Sequence, residues 1–105
     1  MKEITPQQLV EMKTSGKEFQ LIDVREPYEH EMGCINGELI PMGELMDRLD
    51  EIRKDIPVVI HCKSGKRACA VIETLERLHG YQNLHNLQGG IEAYAEEVDP
   101  TLEIA

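Results

Sequence analysis

A chain of 105 residues, 41% hydrophobic, has material for one layered core and no second, and with no Trp and one Phe that core must be aliphatic. Twenty acidic against eleven basic side chains leave a formal charge of -9, a field that repels a phosphate backbone and argues against nucleic acid as a partner. No basic-then-apolar stretch opens the chain and no apolar run approaches bilayer-spanning length, so the expectation is a soluble, cytoplasmic protein with no membrane partner.

The chain opens with a short strand around Ile4. A helix follows: Thr5 stands at its cap, Pro6 at its first position and Gln8 three beyond the cap, the sequence form of a capping box. Ser15 and Gly16 stop it. "FQLIDV", residues 19–24, is a mostly apolar strand ending at Asp23 and Arg25, and "EPYEHEMG" is a short helix or turn closed by Gly33. "ELIP" reads as a brief edge strand. In "MGELMDRLDEIRKD", Met42, Leu45, Met46, Leu49 and Ile52 recur at spacings of three and four, which predicts an amphipathic helix.

"PVVIHC", residues 57–62, is continuous and β-branched, as a strand covered on both faces of a parallel sheet should be. The next helix runs from about Lys66 to His79, with Val71, Leu75 and Leu78 on one face and Gly80 as its stop. "YQNLHNL" is a further strand, "QGG" a turn, "IEAYAEEV" a last helix, and residues 98–105 a tail. Strand and helix alternate throughout one domain, residues 1–105. That order predicts an α/β domain of three layers, with a mainly parallel five-stranded sheet and helices on both faces.

Sites in such domains gather at the carboxyl ends of strands, where loops meet helix N-termini. Cys62 falls at that boundary. Turn N–H groups and the positive end of the following helix favour thiolate over thiol there, and Lys63, Lys66 and Arg67 place three cations just after the sulfur. The alternative, a small buried hydrophobe, fits poorly with the polar Lys63, Ser64 and Gly65 that follow. Cys69, between two alanines, reads as helix packing, while Cys34 lies in a turn-rich connection and could face either way. His61 is adjacent to Cys62 and points to the opposite face of its strand, which suits a structural role. The three cysteines show no CxxC or zinc-like spacing, and the scattered His30, His61 and His79 assemble no metal set.

Three segments in order resemble the rhodanese family over nearly the whole chain: "LIDVREPYEHEMGCINGELIP", "PVVIHCKSGKRACAVIETL" and "NLQGGIEAY", the last with Tyr94 where Trp is commoner. "INGELIPMGEL" also resembles rhodanese domains associated with MoeB/ThiF-type activating enzymes. The resemblance implies a sulfurtransferase in which Cys62 accepts a sulfane sulfur from a small anionic donor such as thiosulfate. It then carries the sulfur as a persulfide and passes it to cyanide, a thiol or a ubiquitin-like sulfur-carrier protein. It further implies that Lys63, Ser64, Gly65, Lys66 and Arg67 complete a six-residue active-site loop, that Asp23 and Arg25 are supporting residues, and that no cofactor or metal takes part. Arg25 is expected to pair with Glu26 or Glu29. Cys34 stands where the family commonly has His, and the connection from Gly37 to Pro41 is one residue shorter than usual.

Two other readings compete. A cysteine-dependent phosphatase or arsenate reductase needs a loop one residue longer between cysteine and arginine, so that the guanidinium can clamp a tetrahedral oxyanion. A non-catalytic binding or regulatory domain of the same fold would usually lack the cysteine, and Cys62 is present.

Overall fold

The computed structural model describes residues 1–105. Five strands, every neighbouring pair parallel, form one sheet in the order β1-β5-β4-β2-β3. They are β1 (Lys2–Ile4), β2 (Gln20–Asp23), β3 (Glu38–Leu39), β4 (Val58–His61) and β5 (Leu84–Leu87). Parallel neighbours require crossovers, and helices α1 (Pro6–Thr14), α2 (Pro27–Met32), α3 (Lys66–His79) and α4 (Gly90–Glu97) lie in the connections or follow the last strand. The α/β class and the parallel five-stranded sheet agree with the sequence reading.

The period of two along each strand divides the core between the faces. Ile22, Val58 and Ile60 join Ala68, Val71, Ile72 and Leu75 of α3, whereas Leu21 and Val59 join Leu9 of α1 and Ile91 and Tyr94 of α4. Because β4 is central and covered on both sides, all four of its residues are buried, which is why its sequence is apolar without alternation. The α1 cap forms as its residues predict: the Gln8 N–H donates to Thr5 Oγ1 at 3.1 Å, and the Thr5 N–H to Gln8 Oε1 at 2.8 Å.

The predicted helix over 42–55 is instead two short 3-10 turns, Met42–Asp47 and Leu49–Glu51. Gly43 weakens any α-helix here, and Arg48, at φ -127° and ψ 29°, breaks the run between the two turns. The bonds that form span three residues, as in Arg48 N–H to Leu45 O and Ile52 N–H to Leu49 O. Leu45 and Ile52 reach the core, while Met42 and Met46 stay exposed, so the apolar spacing reflected a connection pinned at intervals. Residues beyond 98 also differ from a free tail. Leu102 and Ile104 pack against the α1/α4 side, and the chain crosses Gly33 so closely that a Cβ there would lie 1.9 Å from the Glu103 carbonyl oxygen.

Candidate active site

β4 ends at His61 and α3 starts at Lys66, so the connection can only turn sharply. Gly65 makes the turn at φ 106°, a conformation L side chains rarely adopt. The turn wraps around Cys62, which is 1% exposed. Its Sγ accepts from the Gly65 N–H at 3.1 Å and the Ala68 N–H at 3.4 Å, so the sulfur sits on the N-terminal opening of a 14-residue helix with two amides aimed at it. The Cys62 side chain is buried among apolar neighbours, and polar backbone converges on its one polar atom.

The loop carbonyls are drawn the other way by α4. The Ile91 N–H donates to Cys62 O at 2.9 Å and the Glu92 N–H to Lys63 O at 3.1 Å, so the first turn of one helix holds the outer side of the loop that opens the other. This close approach explains the second glycine of "QGG". Gly90 has φ 64°, and a Cβ there would lie 2.4 Å from Lys63 O. From β5, the Asn86 Nδ2 donates to Gly65 O at 3.2 Å.

Arg67 closes the loop, but its guanidinium is committed. It makes a two-point ion pair with Glu29 of α2, Nη1 to Oε1 at 2.7 Å and Nη2 to Oε2 at 2.9 Å. Hydrogen bonding from Arg67 holds the Glu29 carboxyl down at about 2 despite its burial, and the same pair raises Arg67 above the usual arginine range.

The expected partner of Arg25 is corrected accordingly: Glu29 belongs to Arg67, and Arg25 pairs with Asp23. Nε and Nη2 of Arg25 reach the Asp23 carboxylate at 2.9 and 2.8 Å, because residues two apart on an extended segment share a face. The Arg25 Nη2 also donates to Gly33 O at 2.7 Å, which ties the end of β2 to the end of α2. Burial pushes the Asp23 carboxyl up, yet Arg25, His61 and His30 together leave it below its usual value. Both side chains are fully buried and support the architecture around the loop. His61, opposite Asp23 in the sheet register, is also fully buried, with neither ring nitrogen hydrogen-bonded, and burial lowers it to about 4.

Lys66 and Ser64 are exposed and Lys63 half-buried, and neither lysine belongs to an ion pair. The reading of Cys69 as packing shifts: it is partly exposed, its Sγ lies 3.7 Å from Glu73 Oε1, and burial followed by the Glu73 charge raises its thiol. It lines a cavity of about 390 Å³ with Ser64, Gly65, Lys66 and Asn86. Cys34 is partly exposed too. A larger cavity of about 730 Å³ lies by Gln20, Glu38 and Arg53, at the opposite end of β2 from Asp23. No three His, Cys, Asp or Glu side chains are placed to hold a metal ion.

Sequence alone offers Glu29 only as a partner for Arg25, and Asn86 and Gly90 only as parts of the closing segment "NLQGGIEAY"; none of the three is legible there as a residue that holds the loop.

Comparison with known proteins agrees with this fold. The family model described as "Rhodanese-like domain" matches residues 5–97. A protein of Allochromatium vinosum named "Sulfurtransferase" is 38% identical over 97 residues, which cover 89% of this chain and 87% of that one. The Mycobacterium tuberculosis protein named "Probable adenylyltransferase/sulfurtransferase MoeZ" is 33% identical over 102 residues, which cover 94% of this chain but only 26% of the relative. Among solved structures, a rhodanese-like domain protein from Staphylococcus aureus superposes with a TM-score of 0.83 at 35% identity, covering 100% of this chain and 99% of the other.

Proposed function

The chain belongs to the rhodanese-like domain family, and we propose that it is a sulfurtransferase using Cys62 as its nucleophile. One observation carries this reading: a buried sulfur receives two backbone N–H groups inside a six-residue loop at a helix N-terminus. The Cys62 thiolate attacks the sulfane sulfur of an anionic donor such as thiosulfate, the donor's S–S bond breaks, and sulfite leaves with the bonding pair. The persulfide that remains on Cys62 is an anion on its outer sulfur. Amides of the loop suit that charge, because they are fixed in place before it forms. A nucleophilic acceptor then takes the outer sulfur, and Cys62 returns as thiolate; storing the group covalently splits one transfer into two easier steps and needs no cofactor.

Lys63 and Lys66, unpaired beside the loop, supply the attraction for an anionic donor on a molecule that is otherwise strongly acidic. For the acceptor, a small thiol or the C-terminus of a ubiquitin-like sulfur carrier is favoured. The likeness to MoeZ supports the second, although this chain spans about a quarter of that protein. The test is mass spectrometry after incubation with thiosulfate. The expected result is a gain of one sulfur atom that cyanide removes and that Cys62→Ser abolishes; an unchanged mass with several sulfane donors overturns the proposal.

A further inference from the structure

Asn86 of β5 lies outside the six-residue loop, yet its side chain touches the peptide on which the loop turns. The residue is 4% exposed, and its Nδ2 donates to Gly65 O, while its Oδ1 is buried with no partner. A buried amide with an orphaned acceptor costs stability that an apolar side chain in this strand would not. The contact it gains in return is on Gly65, whose own N–H donates to Cys62 Sγ.

We propose that Asn86 is a positioning residue for the sulfur-transfer loop. The Gly65 carbonyl also accepts the first bond of α3, from the Cys69 N–H at 2.9 Å, and Asn86 adds a second donor fixed to the strand beside the central one. Two donors hold the plane of the peptide that joins Gly65 to Lys66. In a trans peptide the Lys66 N–H then points opposite to that carbonyl, out of the first turn of α3, the same turn whose Ala68 N–H reaches Cys62 Sγ. At φ 106° Gly65 carries no steric preference of its own that would hold this orientation, since glycine passes readily between conformations. The register of β5 against β4 places Asn86 beside Ile60, two residues before Cys62, so the sheet carries both the sulfur and the group that orients its loop.

This inference rests on the proposed sulfurtransferase reading, and Asn86→Leu separates the two. Leucine keeps the branched outline of the side chain, with more bulk, and removes both the donor and the orphaned acceptor, so the melting temperature is expected to hold or rise. Hydrogen exchange of the Gly65 and Cys69 amides, followed by NMR, is expected to accelerate about tenfold with the rest of the sheet unchanged, and sulfur loading per Cys62 from thiosulfate to slow by a similar factor. The slowing is expected in the limiting rate more than in the donor concentration for half-saturation. Asn86→Asp, which cannot donate and sets a carboxylate against the carbonyl, should show the same local loosening. Unchanged exchange at Gly65 and Cys69 in both variants overturns the positioning role, as does wild-type loading by both. If the wild-type protein takes up no sulfur, the functional proposal fails, and the exchange measurement alone decides on Asn86.

Discussion

His61 and Cys62 are consecutive, and the sheet treats them as opposites. Cys62 falls on the α3 side, where helix-start amides reach its sulfur; His61 falls on the other, against Asp23, with two unpartnered nitrogens. The pleat alone predicts this division, and it removes His61 as a base for Cys62. Its burial has a pH signature. The folded protein releases the His61 proton at about 4, whereas an unfolded histidine holds one below about 6.5, so in that window the unfolded state binds more protons. Stability from this residue is therefore full above pH 6.5, falls as pH drops towards 4, and levels off below, a loss of about 3 kcal/mol. Urea unfolding between pH 6.5 and about 5, above the range in which the lowered Glu29 and Asp23 carboxyls contribute, should show the slope in the wild type and its absence in His61→Leu, which also removes both orphaned nitrogens. An equal slope in the variant would assign the effect to another group.

Between elements, the loop is held from three directions: α2 through Glu29, α4 through its first-turn amides and β5 through Asn86. Arg67 looked in sequence like a cation for the substrate, and the fold spends it instead on joining α3 to α2. Arg67→Ala and Glu29→Gln should thus behave alike. Each is expected to cost about 1 kcal/mol of stability, since the Arg67 side chain is a third exposed and water screens the pair, and to slow sulfur loading severalfold by freeing one end of the loop. A cycle with the double variant checks it: if Glu29→Gln leaves loading intact while Arg67→Ala does not, the guanidinium serves the donor directly. The element that sequence misjudged, residues 42–52, failed for a related reason. Spacing of apolar residues does not distinguish a continuous helix from turns touching down at Leu45, Leu49 and Ile52, and Gly43 and Arg48 decided between them.

At the scale of the molecule, one central sheet with a core on each face implies that the faces unfold together. Ile60 points to the α3 side and Val59 to the α1/α4 side, both fully buried. Ile60→Ala should cost about 2–5 kcal/mol and Val59→Ala somewhat less, with a single transition in each case by circular dichroism and tyrosine fluorescence alike. Separate transitions for the two signals would show that the layers are independent.

Sequence alone was enough for the α/β class, the buried central strand, the α1 cap, and the placing of Cys62 where a strand gives way to a helix, because periodicity, capping chemistry and β-branching are local. It was not enough for what faces the loop from elsewhere. The pairing of Glu29 with Arg67, the glycine contact of Gly90 with Lys63, and the hold of Asn86 on Gly65 join residues that are up to 38 positions apart. Only the crossover of parallel strands brings them together, since each contact depends on how far one element is carried past another.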